Sequence, residues 1–392
     1  MLEKEKVYGY TFVSKLISEY YASAEDFYPG HISQREFGIG DFEAKIRFRH
    51  LSFLNNFDLK NYLVKNSSPF VSCSTAFYKH PTFRPMENKE WLGSELVFDL
   101  DATDMKLGCQ LKHGTSFVCD NCLNKVKQET LKLIEEFLIP DFGFSKTEIE
   151  TNFSGNRGYH VHIKNEDVLS LNGDARKEIS AYISGTGINF EDFFKMEEFR
   201  RDSGRIGKKL IGPRTTDGGW RGKIARNFIK ELEKGPQSIE LLGVEKRMAN
   251  NLYKKKSLIE MGINSGNWDI VYIKNKEEFW KNVLETQAIS QSDKIDKNVT
   301  NDPSHMIRLP NTIHGDTGLI SKKLSISDLE NFNPMSDAIA FKKGKISVIA
   351  DLPMALHMNG EVFGPYKKEK VELPLYVGIY LFLKNSANIV KE

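Results

Sequence analysis

Cysteine is scarce in this chain: four in 392 residues, at Cys73, Cys109, Cys119 and Cys122. That excludes a disulfide-stapled secreted scaffold. With three of the four lying between 109 and 122, it reads instead as a metal site in a reducing compartment. Net charge is equally scarce. Lys plus Arg number 55 against 53 Asp plus Glu, a formal charge of +2. A global electrostatic pull on nucleic acid is therefore weak, and any binding face must be local. Long apolar runs are missing: the most apolar C-terminal stretch, Leu373 to Leu383, is too short to span a bilayer. The opening MLEKEKVYGY has charge but no apolar segment after it, so a signal peptide is not expected. These absences predict a cytoplasmic protein with no membrane partner. There is no internal repeat, no low-complexity tract, and no G-x-x-x-x-G-K-[ST] run, which excludes a Walker-type phosphate loop. What remains is 40% hydrophobic residues, the composition of a soluble globular protein, and length enough for two or three domains.

Residues 8 to 22 suggest an amphipathic helix. In SELVFDLD, Leu96, Phe98 and Leu100 alternate with Val97, Asp99 and Asp101, which suits a strand anchored in the core by the first three. Residues 125 to 138 carry Leu131, Ile134, Phe137 and Leu138 at helical spacing. TEIETNF, the turn SGNRG and then YHVHI read as two strands joined by a tight turn, with Gly155 and Gly158 supplying backbone freedom. Tyr159, Val161 and Ile163 would face one side of the second strand, and His160 and His162 the other. From about 166 to 291 helical patterns dominate. Strand-like sequence resumes at HMIRLP and KISVIA, and a helix is expected at 374 to 386.

Three distant segments carry chemistry. Asp99 and Asp101, two apart on a strand, project from one face with α-carbons about 6.6 Å apart. Two close carboxylates repel, and a divalent cation relieves that repulsion. The bland alternative is a strand end with two solvated acids. Asp104 reads as a turn or cap residue. SGNRGYH sets Ser154, Arg157 and His160 around two glycines, so that a hydroxyl, a guanidinium, an imidazole and exposed N–H groups form a phosphate cradle. In the third segment Arg308 and His314 flank Pro310, which would end the strand and let both cations face one point. A carboxylate cage opposite a phosphate cradle is what metal-assisted phosphoryl transfer requires. Singly, each of these residues has an ordinary explanation. Arg157 would sit in an exposed hairpin turn, and His160 would be a satisfied half-buried histidine.

Cys109, His113, Cys119 and Cys122 form a C-x3-H-x5-C-x2-C knuckle. Four N/S ligands in one short loop suit a tetrahedral, structural zinc, placed just after the carboxylate strand. Residues 200 to 230 hold ten cations (Arg200, Arg201, Arg205, Lys208, Lys209, Arg214, Arg221, Lys223, Arg226, Lys230) and two acids, Asp202 and Asp217. That stretch is either a template-tracking surface, with bases stacking on Trp220, or a solvated loop with an ordinary buried Trp.

Together these segments resemble the small, catalytic subunit of archaeal and eukaryotic DNA primase. SQREF (33 to 37), RHLSF (49 to 53) and MENKEWLGSELVFDLDATD (86 to 104) are similar to the archaeal form, and the knuckle follows the D-x-D strand as in that family. The resemblance covers about 1 to 165 and 290 to 365. It implies an α+β fold, the archaeo-eukaryotic primase (prim) fold, with mixed sheets flanked by helices, a zinc knuckle and a helical insertion subdomain. The expected division is 1–165 for the first part of the catalytic core (knuckle at 105–124), 166–291 for a mostly helical insertion, and 292–392 for the second part of the core with the C-terminal helix.

By the same resemblance Asp99, Asp101 and Asp296 would be the catalytic triad binding Mg²⁺ or Mn²⁺. The local sequence does not choose Asp296 over Asp293 or Asp302. Ser154, Arg157, His160, Arg308 and His314 would contact the nucleotide triphosphate, with Glu36 and Arg49 as further nucleotide-site residues. One departure stands out: Asn156 lies where the family usually has a second basic residue, so that either triphosphate affinity falls or another cation substitutes. His162 occupies a position often held by a bulky aromatic. The implied activity is template-directed synthesis of short primers from nucleoside triphosphates in DNA replication. The implied partners are a large primase subunit, forming a heterodimer in the primosome, and a single-stranded DNA template. The competing readings are a stand-alone primase-polymerase or repair polymerase, a metallo-phosphoesterase built on Asp99, Asp101, His160 and His162, and a non-catalytic zinc-containing nucleic-acid-binding subunit.

Overall fold

The computed structural model describes residues 2–24, 27, 29–200, 204, 206–270, 273, 275–292 and 294–391. These form two compact units, one of residues 1–131, 144–177 and 295–392, the other of 132–143 and 178–294. The expected insertion, 166–291, is thus drawn differently by the contacts. Residues 166–177 pack with the first unit, largely because Arg176 is buried there and donates to the carbonyls of Ser94 and Glu95 at 2.8 and 2.9 Å.

The first unit is built on three sheets of three or four strands, with two further two-stranded pairs, Ala76–Tyr78 with Trp91–Ser94 and Leu356–Met358 with Glu361–Phe363. One has the strand order Met306–Arg308, Phe70–Ser74, Phe37–Gly40, Phe48–Leu51. A second runs Lys322–Leu324, Ile149–Phe153, Gly158–Ile163, Leu96–Asp101. The third joins Tyr366–Pro374, Lys345–Leu352 and Ala387–Ile389. The expected Leu96–Asp101 strand and the 149–163 hairpin are present, and Leu96, Phe98 and Leu100 are buried as the alternation requires. Mixed sheets were expected, but every pairing among the described strands is antiparallel. Side-chain alternation has period two in either direction, so local sequence does not encode strand polarity.

The N-terminal helix, Leu2–Ser23, extends further than the periodic segment 8–22. The C-terminal helix, Leu375–Leu383, is buried from Tyr376 onward. The two are in close approach at Gly9, where an added Cβ would lie 2.3 Å from Cζ of the buried Phe382. The helix expected over 125–138 is α-helical at Asp120–Lys132 and continues as a π-helical segment, Leu133–Leu138.

The second unit is mostly helical, with helices at Gly219–Lys234, Lys246–Lys254, Lys256–Asn264 and Lys276–Ser292. It also holds a hairpin, Lys195–Arg200 with Ile206–Ile211. Part of the basic stretch, Arg201, Asp202 and Arg205, lies outside the described residues. Of the rest, Lys208 and Lys209 pair across the hairpin with Glu198 and Glu197, Arg221 pairs with Asp217, and buried Lys223 with Asp141. Trp220 is buried and donates its indole N–H to the Tyr182 carbonyl at 2.7 Å. It is a core residue here, not a free stacking platform, because its ring packs edge-on against Phe137.

The Gly9 contact yields a test of the packing that fixes the C-terminal helix. Gly9→Val improves nothing in the core and forces Phe382 to move, so chemical denaturation should show a loss of about 2 kcal/mol, the ordinary cost of overpacking.

Candidate active site

The strand Leu96–Asp101 is an edge strand, paired on one side with Gly158–Ile163 in a register that sets Asp99 opposite His160 and Asp101 opposite Gly158. Its aliphatic face is buried, while the Asp99 and Asp101 side chains stay 27% and 30% exposed. On its free edge the backbone N–H of Asp296 donates to the carbonyl of Asp99 at 2.9 Å. Asp296 is also the N-cap of the short helix Lys297–Asn301, its Oδ1 accepting from the Asn298 N–H at 2.8 Å. Asp302 instead closes a local turn onto Ser304, and Asp293 lies outside the described residues. The structure therefore brings Asp99, Asp101 and Asp296 together.

Their proximity is legible electrostatically. Withdrawal from water, followed by repulsion from Asp101, Asp296 and Asp104, pushes the Asp99 carboxyl up to about 8; only Arg157 pulls the other way. Neighbouring carboxylates that repel one another are the kind of oxygen donors that suit hard divalent cations. His160 Nε2 stands 3.7 Å from Asp99 Oδ1. Burial, with His162, Arg308 and His305 nearby, holds its pKa well below the usual imidazole value, so it is neutral at physiological pH. His162 is engaged elsewhere, its Nδ1 2.9 Å from Glu95 Oε2.

The turn after Phe153 is stapled by Ser154, whose hydroxyl oxygen accepts from the N–H groups of Asn156 and Gly158 at 3.4 and 3.2 Å, leaving its own O–H available to a ligand. Arg157 reaches back to Asp101, with Nε 2.9 Å from the carboxylate, and donates to the Thr115 carbonyl at 2.9 Å. Gly155 has φ +84°, and an added Cβ would lie 2.8 Å from the Cβ of His314. The Thr317 hydroxyl donates to the Gly155 carbonyl at 2.6 Å. The second and third sequence segments are thus interlocked by backbone contact. His314 is buried and accepts from the Asp316 N–H at Nδ1, 3.2 Å away. Burial and then Arg308, Lys45, Lys384 and Arg157 hold its pKa well below the ordinary value. The Arg308 guanidinium lies 5.1 Å from the Phe70 ring centre, and burial lowers its pKa to about 10. One neutral imidazole surrounded by four cations marks a strongly positive wall facing the acids.

Two members of that wall were not foreseen. Lys45 pairs with Asp316 at 3.3 Å, and Lys384 Nζ donates to Asn156 Oδ1 at 3.0 Å. Neither belongs to a recognisable motif. The one signal was the uncharged Asn156 in an otherwise cationic turn. Glu36 and Arg49 are adjacent, but in distinct roles. Glu36 is wholly buried, its Oε1 accepting from Arg49 Nε and from the His50 N–H, both at 3.1 Å, and its Oε2 from Lys89 at 3.1 Å. Arg49 remains 44% exposed at the end of this chain of contacts.

Beyond the acid strand, Cys109, His113, Cys119 and Cys122 converge with ligand atoms all within 4.8 Å of one another. The Sγ of Cys122 lies 3.4 Å from that of Cys109, 3.7 Å from that of Cys119 and 3.5 Å from His113 Nε2. This cluster can hold a metal ion. Among the described residues, no helix is long and apolar enough to cross a membrane.

Comparison with known proteins bears on this geometry. A family described as DNA primase small subunit matches residues 98–326. The chain is 32% identical over 391 residues to the DNA primase small subunit PriS of Methanococcoides burtonii, covering 96% of this chain and 97% of that one. It is 31% identical to PriS of Methanocella arvoryzae (96% and 98% covered) and 29% identical to PriS of Thermoplasma volcanium (96% and 96%).

Behind the site, buried Glu95 holds Arg35 and His162 together. Burial alone would raise its pKa, but the Arg35 guanidinium and His162 outweigh that and hold it down at about 2. A depressed folded-state value stabilises above the unfolded pKa near 4.5 and is lost as pH falls toward 2. Glu95→Gln should therefore cost about 3 kcal/mol at pH 7, the scale of a broken buried pair. In pH-dependent denaturation the gap from the parent should narrow steadily below pH 4.5; a constant gap would contradict the assignment.

Proposed function

The chain belongs to the DNA primase small subunit family, and from that premise we propose how its residues divide the work of primer synthesis. As a member of that family it is the catalytic subunit of an archaeal-type primase, a nucleotidyltransferase that acts in DNA replication. Asp99, Asp101 and Asp296 would hold two divalent cations, Mg²⁺ or Mn²⁺. Bound there, the cations supply the charge that lowers the pKa of the attacking 3′-hydroxyl and stabilises the departing pyrophosphate. The observation that supports this reading most is the 2.9 Å hydrogen bond from Asp296 N–H to the Asp99 carbonyl, which sets acids far apart in sequence beside each other.

The remaining work falls to the cationic wall. Ser154, Arg157, Arg308 and His314 position the triphosphate and offset charge that develops on it. Neutral His160, hydrogen-bond capable beside Asp99, orients a phosphate oxygen without adding charge to the acid cluster. Glu36 acts through Arg49, fixing the direction of its guanidinium toward the nucleotide. Membership of the primase small-subunit family favours nucleotidyl transfer over the metallo-phosphoesterase alternative. The partners that fit are a large primase subunit, nucleoside triphosphates and a single-stranded DNA template, in a cytoplasmic setting.

The Cys/His cluster fits zinc. A tetrahedron of Zn–S bonds about 2.3 Å long spaces its sulfurs about 3.8 Å apart, close to the 3.4 and 3.7 Å seen around Cys122. Its role is structural. It anchors the loop whose Thr115 carbonyl receives Arg157, so loss of the metal loosens a residue that also contacts Asp101. Cys122→Ser should reduce zinc from one equivalent per chain toward zero in elemental analysis and lower the thermal midpoint by roughly 5 °C or more.

The acid triad makes a two-sided prediction. Asp99→Asn should lower templated nucleotide incorporation by at least about a thousandfold, the equivalent of about 4 kcal/mol. Without divalent metal, the same variant should unfold at an equal or higher temperature above pH 7, because a carboxyl with a raised pKa destabilises the fold once it is ionised. Retained incorporation, or marked destabilisation in the metal-free protein, would remove Asp99 from this role.

A further inference from the structure

One cation of the wall, Lys384, has a neutral side-chain amide as its hydrogen-bond partner. Lys384 follows the C-terminal helix Leu375–Leu383 as its C-cap, its N–H bonding back to the Tyr380 carbonyl at 3.0 Å. That helix end is held in place on both sides. Phe382 packs over Gly9, and Lys6 donates to the Asn385 side chain at 3.2 Å. From this fixed base the Lys384 side chain runs past Tyr380, with Nζ 5.8 Å from the ring centre, and donates to Asn156 Oδ1 at 3.0 Å. Asn156 is the middle of the Ser154–Gly158 turn and is itself 9% exposed. The contact therefore joins the last helix of the chain to the phosphate-facing turn.

The partner is a neutral amide. An ammonium has three donors, the amide oxygen occupies one, and no charge is cancelled. Burying a cation without a counter-charge is costly. Lys384 is half-buried; Asp316 and, more weakly, Asp101 favour its charge, while Arg157 and Lys45 act against it. Asp316 is already paired with Lys45, and Asp101 with Arg157. A purely structural contact to an amide would be served as well by an uncharged donor. A cation held among cations, with its counter-ions committed elsewhere, is a site awaiting a polyanion.

We propose that Lys384 is a triphosphate-binding residue of the nucleotide site, supplied by the C-terminal helix and aimed by the Asn156 side chain. The proposal rests on the reading of the wall as a triphosphate cradle and deepens it. Asn156 contributes no charge of its own, but it directs an ammonium from the far end of the chain to the same place. Burial and the neighbouring cations lower the Lys384 pKa to about 8, in keeping with a charge that is uncompensated until a ligand arrives. The helix end fixes where the amine can reach, so the residue also ties nucleotide binding to the packing of both chain termini.

The test is steady-state incorporation of nucleoside triphosphate on a single-stranded template, with Lys384→Met, Lys384→Arg and the double variant Asn156→Arg with Lys384→Met. Lys384→Met should raise KM for the triphosphate ~10–100-fold, the range for loss of one charged hydrogen bond, with kcat within about threefold of the parent. Lys384→Arg and the charge-relocating double variant should each recover most of that loss. A KM for Lys384→Met within twofold of the parent overturns the proposal. So does an equal defect in Lys384→Met and Lys384→Arg, which is the mark of a structural role. If Lys384→Met does not fold, Lys384→Gln, which keeps a donor to Asn156 without charge, carries the same comparison. The parent protein is the internal control. If it incorporates no nucleotide, the reading of the whole site fails. If it incorporates normally and the Lys384 variants match it, only the Lys384 assignment fails.

Discussion

Everything in this molecule that concerns chemistry depends on one backbone hydrogen bond, from Asp296 N–H to the carbonyl of Asp99 at 2.9 Å. An edge strand leaves one row of its backbone groups unpaired, and here one of those groups receives the segment that carries the third acid. The strand's position is secured by Leu96, Phe98 and Leu100 in the core and by its register against Gly158–Ile163. The hydrophobic anchors hold in place what electrostatics alone would push apart. Asp99 shows the tension, its pKa raised to about 8 by burial and by the other acids.

The opposite wall is assembled on the same logic. Arg157, Arg308, Lys45 and Lys384 converge on His314, whose imidazole is kept neutral by them and by burial. Gly155 lets the SGNRG turn approach His314 closely enough for Thr317 to bond its carbonyl, so the two cationic segments share a rigid joint. Positive and negative walls each repel themselves, and the Arg157–Asp101 ion pair links them. With the roles proposed above, such a site would be completed by what it binds: cations for the acids, a triphosphate for the bases. The knuckle loop contributes at a distance by accepting Arg157 at Thr115.

Several expectations were redirected by tertiary contacts. Trp220 looked available for base stacking because it sits among cations and glycines, but its ring is in the core against Phe137 and several neighbouring cations are paired with acids. Glu36 was expected at the nucleotide. It is fully buried, and its oxygens are shared by Arg49, His50 and Lys89, so any influence it has runs through Arg49. The sheets are antiparallel throughout the described residues, which alternation of side chains does not reveal. The second unit draws in residues 132–143, which the hydrophobic pattern left continuous with the preceding helix.

Local sequence was sufficient wherever the physics is local. The period-two alternation at 96–101, the glycine-punctuated turn at 154–158 and the clustered Cys/His ligands each carry their own structural instruction within a few residues, and the corresponding strand, turn and four-residue cluster are present. Sequence alone did not choose among Asp293, Asp296 and Asp302, and beyond the uncharged Asn156 it did not point to Lys45 or Lys384. Those identities follow from which backbone reaches the free edge of a strand and where a C-terminal helix ends, both matters of long-range packing. A side chain's chemistry is written in the sequence, but its neighbours across a sheet edge exist only after the chain has closed on itself, because charge acts through space and not along the backbone.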